Sequence, residues 1–370
     1  MNISFVLAVY NKLDLTKECY RRLRDVYPEA PLVISSGGSN DGTREWLEEM
    51  SDLDEYLSIF HDDDRLAFSD NYNAGIKLVD TEKLVLIHND MVIGEGFLEA
   101  IERLLTPNMV LCYTTVEPPI FKGHKRPGKV LMDLGSSFHD FDQYRFNEFV
   151  NEWRNSDRIY DGAVFFMSGY KKMFEDVGMF DGFSFFSCFC EDDDFLIRAK
   201  LKGYDLKTCD SAIVYHFVSQ TSRFSDEMKN NRQLVETKST RNFIRKWGIP
   251  ISSFNELRYW EDNVFKFNTF TFGLTTKNKN RLFFLEPFFD KINLGEIPED
   301  YIQNEQPNTN YDLRSKFTMT NTVDVMVYET TPFTDDDAYM FTKLRLSIPY
   351  YEPGEYQIGN MMIEIKKELN

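Results

Sequence analysis

The feature that most constrains the fold is an alternation of apolar strand-like runs with amphipathic stretches in residues 3–104. Residues 3–10 (ISFVLAVY) and 83–87 (KLVLI) are near-continuous apolar runs, typical of strands buried on both faces of a parallel sheet. Residues 13–26 instead carry apolar side chains at helical spacing and stop before Pro28. The alternation continues to residue 104, and it predicts a mainly parallel sheet with helices on both faces.

Polar residues follow several of these strands at the point where each strand ends. Ligands of such sheets bind beyond the carboxyl ends of the strands, which points to Tyr10, Asn11, residues 35–38 and residues 88–90. A carboxylate there can bind Mg²⁺, which takes one or two protein carboxylates and fills its shell with phosphate and water. An aspartate that only closes a turn is an equally good interpretation of Asp90 taken alone.

His216 ends a further apolar run, residues 211–217 (SAIVYHF), and is expected at the same edge of the sheet. A single histidine at a strand end is usually structural. An imidazole beside a carboxylate suits Mn²⁺ and the borderline metals, however. The combination of His216 with Asp90 therefore favours a metal site.

Residues 191–194 (EDDD) form an acidic run directly before an apolar helical stretch. Helix capping is the simplest interpretation, with Asp192 or Asp193 as N-cap and the other carboxylates stabilised by about 0.3–1 kcal/mol each at the positive end of the helix. Capping does not require four carboxylates. A surplus one near a site has the character of a general base, because crowding by like charges raises its pKa.

Overall charge and cysteine content limit the partners and the compartment. The net charge of −18 opposes binding to nucleic acid or anionic lipid unless a basic groove or a metal intervenes. Residues 122–129 (KGHKRPGK) are the one basic stretch. We interpret them as a solvated loop, with an acceptor-binding or lid segment as the alternative.

No apolar run approaches the ~20 residues of a membrane span. Five sparse cysteines fit reduced thiols, so we expect a cytoplasmic location, in the host cytoplasm if the chain is viral.

Several motifs in chain order resemble glycosyltransferase family 2, whose members have the GT-A fold. They lie within residues 1–222: 7–11 (LAVYN), 35–43 (SSGGSNDGT), 71–76 (NYNAGI), 88–90 (HND), 162–181 (GAVFFMSGYKKMFEDVGMFD), 191–204 (EDDDFLIRAKLKGY) and 214–217 (VYHF). Each motif is weak by itself, and their order carries the resemblance.

The resemblance implies a role for particular residues. Asp90 would bind the Mn²⁺ or Mg²⁺ that holds the donor diphosphate, and His216 would complete that metal site. Asp192 would be the catalytic base, with Glu191 beside it. The donor, expected to be a UDP-sugar, would contact the following residues: Ala8, Tyr10, Ser36, Gly37, Arg65, Asn73, His88, Asn89 and Asp90.

Two positions depart from the family pattern. Ser36 and Gly37 stand where members commonly carry two acids, one of which often holds the base of the nucleotide, so the identity of the nucleotide is open. His88 replaces the first acid of the DxD motif and leaves Asp90 as its one carboxylate. His216 is therefore more necessary if a metal is used.

The resemblance implies a catalytic domain in residues 1–250, closed by a helix to about residue 248. Four alternating segments, 267–276, 324–331, 343–351 and 360–368, predict a smaller, antiparallel, β-rich accessory domain in residues 251–370, of unknown role.

The expected activity is a metal-dependent inverting transfer to the hydroxyl of a glycan, lipid-linked sugar, protein or modified nucleobase. The alternatives are an inactive nucleotide-sugar-binding or assembly protein, or a viral DNA-base glycosyltransferase, which the net charge disfavours. The oligomeric state is not predicted.

Overall fold

The computed structural model describes residues 2–120, 126–186, 188–218, 232–256, 270–318, 323–334 and 337–369. The chain divides into two compact units. The first runs from the N-terminus to Gly182 and from Phe186 to Gln233, and the second holds Phe183–Phe185 and the described residues from Leu234 onward. The helix expected to close the first unit therefore groups, for most of its length, with the second.

The first unit is built on a ten-stranded sheet flanked by helices. Its strands are β1 (Ile3–Val9), β2 (Leu32–Gly37), β3 (Leu57–Asp62), β4 (Lys83–Ile87), β5 (Met91–Ile93), β6 (Met109–Glu117), β7 (Lys129–Leu131), β8 (Ile159–Asp161), β9 (Met167–Tyr170) and β10 (Asp205–His216). Its helices are α1 (Leu13–Val26), α2 (Thr43–Leu53), α3 (Phe68–Leu78), α4 (Phe97–Leu104), α5 (Gln143–Trp153), α6 (Lys171–Val177) and α7 (Glu191–Leu201).

The strand order of this sheet is β3-β2-β1-β4-β9-β6-β10-β5, with β7 paired to β6 and β8 to β10. β1, β2, β3 and β4 pair in parallel, as do β6 and β10, whereas β9, β5 and β8 are antiparallel to their neighbours. The predicted mainly parallel α/β sheet is confirmed. The apolar runs that predicted β1 and β4 are buried along almost their whole length.

The second unit contains a smaller, five-stranded sheet in the order β12-β11-β13-β15-β14. Its strands are β11 (Phe272–Thr275), β12 (Lys291–Asn293), β13 (Val325–Glu329), β14 (Gly354–Ile358) and β15 (Met361–Ile365). Its helices are α8 (Arg232–Trp247), α9 (Ile251–Glu256), α10 (Leu282–Leu285), α11 (Glu299–Glu305), α12 (Leu313–Lys316) and α13 (Asp337–Ser347), with 3₁₀ turns at Lys279–Arg281, Glu286–Phe288, Gln306–Asn308 and Ile348–Tyr350.

Two expectations for this unit were wrong in detail. The pairing is mixed, because β11 pairs in parallel with both β12 and β13, and only β14 and β15 complete the sheet in the antiparallel sense. Residues 343–351 are not a strand but the end of α13 and a 3₁₀ turn. Phe341, Leu344 and Ile348, spaced by three and four residues, are the buried apolar positions of this stretch. This spacing is the period of a helix and not the alternation of a strand.

A buried ionic network lies within the second unit. Arg245 Nη2 lies 2.6 Å from both Glu286 Oε2 and Glu305 Oε1, and Lys316 Nζ lies 2.6 Å from Glu286 Oε1. The Tyr301 hydroxyl also donates to Glu286. Burial raises the pKa of Glu286, but Lys316 and Arg245 outweigh it and bring the pKa down to about 2. Glu286 is thus an ionised carboxylate held by three partner groups: Arg245, Lys316 and Tyr301.

Glu286→Gln is expected to lower the free energy of unfolding by about 3–5 kcal/mol at neutral pH, because it leaves buried cations without their counter-charge. The folded-state pKa of about 2 lies below the ordinary 4.5, so this stabilisation is complete above about pH 4.5 and is lost as pH falls through about 2. Denaturant unfolding across that range should show the two proteins converging in acid.

Glu299→Gln is the control for this substitution. Its partner is Arg314, and both side chains are more than half exposed, so a loss below about 1 kcal/mol is expected. Equal losses for the two variants, or a Glu286→Gln deficit that does not shrink in acid, would contradict the network's role.

Candidate active site

Three potential metal ligands meet at the carboxyl edge of the large sheet: His88, Asp90 and His216. Their ligand atoms all lie within 4.8 Å of one another. His216 Nε2 is 3.4 Å from Asp90 Oδ1, and His88 Nδ1 is 4.0 Å from the same oxygen. The sequence predicted the Asp90–His216 pair, whereas it placed His88 with the donor-binding residues. The structure makes His88 a third member of the cluster.

Strand register explains why these residues meet. His216 is the last residue of β10 and pairs with Met91, the first residue of β5, so Asp90 directly precedes its partner. β4 ends at Ile87, whose carbonyl accepts a hydrogen bond from the buried Tyr72 hydroxyl, and His88 follows it. Three polar side chains are thereby held at a sheet edge by backbone pairing rather than by flexible loops.

Aromatic rings surround His88. Its ring stacks on Phe165 with centroids 4.8 Å apart and meets Phe166 and His216 edge-on at 5.6 and 5.7 Å. Burial lowers the pKa of His88 to about 4, so its imidazole is neutral at physiological pH, as a metal ligand must be. Its Nε2 is buried with no hydrogen-bond partner among the residues that the structure describes. The N and O donors of the cluster therefore fit a borderline divalent cation.

Glu117, which the sequence did not single out, contacts His216 on its other side. His216 Nδ1 lies 3.1 Å from Glu117 Oε1. The same carboxylate pairs with Arg126 and, at 3.5 Å, with Lys129. Burial lowers the pKa of His216, but Asp90 and Glu117 raise it overall to about 9, so a cation that binds at Nε2 would have to displace a proton. The solvated-loop interpretation does not hold for Arg126 and Lys129, while residues 121–125 lie outside the described part of the chain.

The acidic run begins helix α7. Its N-cap is Cys190, in the left-handed region with φ 70°, so neither Asp192 nor Asp193 caps the helix as predicted. Asp194 is fully buried and accepts a hydrogen bond from Arg198 Nε at 2.9 Å. It is therefore bound into the helix, and the candidates for the base in this turn are Glu191 and Asp192.

Glu191 and Asp192 have the perturbed carboxyl groups of this turn. Burial raises the pKa of Glu191 well above its ordinary value, and the adjacent Asp192 adds to the effect. Burial also raises the pKa of Asp192. Like-charge crowding, the cause expected from the sequence, is therefore secondary to desolvation. Carboxyls with raised pKa values are suited to exchange protons near neutral pH.

Two of the predicted donor-binding residues contact each other. The guanidinium of Arg65 lies 4.3 Å from the ring centroid of Tyr10, in a cation–π arrangement. The loop after β1 is tied to the loop after β2, because Asn11 N donates to Ser39 Oγ and Asn11 Oδ1 accepts from Asn40 N. Tyr10, Arg65 and these two hydrogen-bonded loops form a rim at the carboxyl ends of β1 and β2.

Other predicted donor residues have structural contacts. Both amide atoms of Asn73 bond to the backbone of Phe180. Asn71 reaches the strand ends instead, because its Nδ2 donates to Val9 O and its Oδ1 accepts from Ser35 Oγ. Two further predicted donor residues are hydrogen-bonded within the protein: Asn89 Nδ2 donates to Thr16 Oγ1, and Ser36 Oγ donates to Ser39 Oγ. Ala8, also predicted, is half-buried within β1.

Gly37, which stands where the family commonly has an acid, and the following Gly38 are both closely packed. A Cβ built on Gly37 would lie 2.6 Å from Leu66 Cβ, so an acidic side chain has no room there. Gly38 has φ +71°, and a Cβ there would lie 2.5 Å from Arg65 Cα. Leu66 thus occupies the space that an acidic side chain at position 37 would need, and Arg65 lies equally close to Gly38.

Gly38→Ala is expected to destabilise the first unit by about 2–5 kcal/mol, from a left-handed backbone cost of ~1–2 and an overpacking cost of ~1–3 kcal/mol. Gly203→Ala is the matched control, because its φ is +91° with no atom within 4 Å of the added Cβ. Denaturant unfolding should show only the backbone cost for the control. Equal losses would mean that Arg65 moves aside freely.

The family comparison decides what kind of domain carries this site. The model described as Glycosyl transferase family 2 matches residues 4–174. Residues 4–174 are a family 2 glycosyltransferase domain. The mainly parallel sheet with its flanking helices has the GT-A architecture expected for this transferase domain. His88, Asp90 and Glu117 lie inside the matched range, whereas α7 and His216 lie beyond it.

Several solved structures are similar to this chain. They are the mannosyltransferase PcManGT from Pyrobaculum calidifontis in complex with GDP-Man and Mn²⁺ (TM-score 0.46, 13% identity, 70% of this chain and 68% of that one), GalNAc-T7 with UDP, GalNAc and Mn²⁺ (0.45, 12%, 71% and 54%) and S. aureus TarS 1-349 (0.42, 14%, 66% and 66%). The chain thus spans between about half and two thirds of these structures.

No curated protein sequence matches the chain. Within the described ranges, no helix combines the length and the apolarity needed to cross a bilayer.

Proposed function

We propose that this glycosyltransferase is a metal-dependent inverting enzyme that moves a sugar from a nucleoside-diphosphate sugar to an acceptor hydroxyl. The observation that carries the proposal is the cluster of His88, Asp90 and His216 at the carboxyl edge of the sheet. Two imidazoles with one carboxylate favour Mn²⁺ over Mg²⁺, which prefers an all-oxygen shell. When bound, such an ion would stabilise the negative charge of the departing nucleoside diphosphate.

The chain's own residues would move the proton. Asp192, at the start of α7, would remove the proton of the acceptor hydroxyl as general base, with Glu191 beside it. The acceptor oxygen would then form its bond to the anomeric carbon on the face opposite the breaking bond to the diphosphate, which inverts the configuration. The raised pKa of Asp192 supports this role, because a stronger base takes the proton more readily.

For the donor site, we assign the nucleotide to the rim formed by Tyr10 and Arg65, near Ser36 and Gly37. The Tyr10 ring and the Arg65 cation provide stacking and charge for a base and a diphosphate. Asn73 we assign to a structural role, because both of its amide atoms bond to Phe180. A UDP-sugar stays the first donor to test, and a cytoplasmic location is proposed from the sparse, odd number of cysteines.

A thermal-shift screen of nucleoside diphosphates and their sugars, with and without Mn²⁺ or Mg²⁺, tests the proposal. A ligand that binds only the native state raises the melting temperature. At a ligand concentration of 100 times its Kd, the free energy of unfolding increases by about 2.7 kcal/mol. We expect a shift with one nucleotide family, larger in the presence of Mn²⁺ and lost in Asp90→Asn. No shift with any nucleotide contradicts the proposal.

Turnover separates the enzyme from a protein that only binds the donor. In the absence of an acceptor, water can take the place of the acceptor hydroxyl, so slow, metal-dependent release of free sugar from the donor is expected of the enzyme. Binding without any hydrolysis or transfer would favour the binding-only alternative. Transfer to oligosaccharide, protein and DNA acceptors then ranks the acceptor classes, with DNA disfavoured by the net charge of −18.

A further inference from the structure

Glu117 lies on the side of His216 that faces away from Asp90. β6 and β10 are parallel neighbours, and Tyr215 of β10 is paired with Val116 of β6. The next residue on each strand, His216 on β10 and Glu117 on β6, is therefore at the same level of the sheet. β5 pairs with β10 from the other side and places Asp90 there. The His216 ring is thereby held between two carboxylates, at 3.1 Å from Glu117 Oε1 and 3.4 Å from Asp90 Oδ1.

The two ring nitrogens of His216 are divided between these carboxylates. Nδ1 faces Glu117, and Nε2 faces Asp90 and the rest of the cluster. A carboxylate that accepts from Nδ1–H keeps the proton on that nitrogen and leaves the Nε2 lone pair for a cation. The ring is also restrained by Phe166, whose centroid lies 5.1 Å away edge-on.

Glu117 is itself fixed by its surroundings. Its side chain is 5% exposed, and it pairs with Arg126 and Lys129, while Thr115 Oγ1 lies 3.3 Å from Oε1. Arg126 in turn lies over the Phe166 ring at 4.7 Å. A carboxylate needed only to neutralise two cations would not have to face the imidazole.

We propose that Glu117 is a positioning residue that sets the tautomer and orientation of His216 for a divalent cation. This inference rests on the metal centre of the proposed function and adds a residue to it. The carboxylate would not touch the cation or the sugar donor. It would act through the imidazole, which makes its contribution conditional on His216.

A double-mutant cycle on metal binding tests that condition. Mn²⁺ binding is measured by the EPR signal of the free ion, on the full chain without donor, for wild type, Glu117→Gln, His216→Ala and the double variant. Glu117→Gln is expected to weaken Mn²⁺ binding by about 10–100-fold in the wild-type background. In the His216→Ala background the same change should alter the Kd by less than about threefold, because the group it acts through is gone.

Three outcomes overturn the inference. Unchanged Mn²⁺ affinity in Glu117→Gln is the first. An equal loss in both backgrounds is the second, since it would be the effect of one charge at a distance. The third is an equal loss in Asp54→Asn, a control that breaks a different, largely buried ion pair with Arg24 and has its contacts elsewhere in the unit.

Two further readouts keep the test decisive. If His216→Ala binds Mn²⁺ too weakly to measure, the visible spectrum of Co²⁺ replaces it: Glu117→Gln should shift the bands, Asp54→Asn should not, and an unshifted spectrum overturns the inference. If wild type binds no Mn²⁺ or Co²⁺, the proposed metal centre itself fails. That result is distinct from a wild type that binds and a Glu117→Gln variant that binds equally well.

Discussion

Asp192→Asn is expected to lower kcat by about 10²–10⁴-fold while leaving nucleotide affinity nearly unchanged, because the amide keeps the shape of the side chain but cannot accept the acceptor's proton. Steady-state transfer assays and donor-binding titrations on the same preparation separate the two quantities. Retention of more than about a few per cent of the activity would show that Asp192 is not the base.

Two comparisons sharpen this test. Asp193→Asn, in the same turn of α7, should keep most of the activity. If Glu191→Gln loses activity while Asp192→Asn keeps it, the base is Glu191. Because burial raises the pKa of Asp192, the acid limb of the kcat profile should lie above the ordinary range of an aspartate, with the rate rising as pH increases and the group loses its proton.

Asp90→Asn is expected to abolish Mn²⁺-dependent stabilisation by donor and to reduce kcat/KM by about 10³-fold, corresponding to several kcal/mol of lost charge stabilisation. The reason is geometric: Asp90 Oδ1 is the one carboxylate oxygen that both His88 and His216 approach. Calorimetric Mn²⁺ titration and transfer assays measure the two effects. Chelation of the metal from wild type should produce the same loss, and added Mn²⁺ should restore wild type alone.

Asp140→Asn is the matched control for this substitution. Its carboxylate is bonded to Ser136 and Ser137 in its own loop. It should leave Mn²⁺ affinity and transfer unchanged within about twofold. Full activity of Asp90→Asn, or activity of wild type that survives complete chelation, would exclude a metal role for this cluster.

The sequence predicted that Asp90 and His216 lie together, because Asp90 follows the apolar strand β4 and His216 ends the apolar strand β10. Asp90 and His216 are distant in the chain, yet the rule that parallel strands share a carboxyl edge was enough to bring them together. The sequence placed His88 among the donor-binding residues and not among the metal ligands, because the family motif has a carboxylate at this position. Its neutral, aromatic-lined environment depends on Phe165 and Phe166, which no local pattern connects to residue 88.

Glu117 could not be found for a different reason. It stands directly before Pro118 and Pro119, in a stretch whose composition is typical of a loop, so its burial was hidden. The usable signal was the run Met109–Glu117, which is buried throughout and ends at the same edge as the other strands. Asn71 and Asn73 show a related limit: they are two residues apart on α3 and so face different directions, and a motif alone does not say which one reaches the strand ends.

The placement of His216 at the end of β10 also has a consequence for synthesis on the ribosome. At about 5–20 residues per second, His216 emerges several seconds or more after Asp90, and β5 has its β10 partner only then. Residues 4–174, the matched family segment, are translated well before that moment. A nascent or truncated chain that stops there would carry the family's sequence signature, yet it could not assemble the cation-binding cluster.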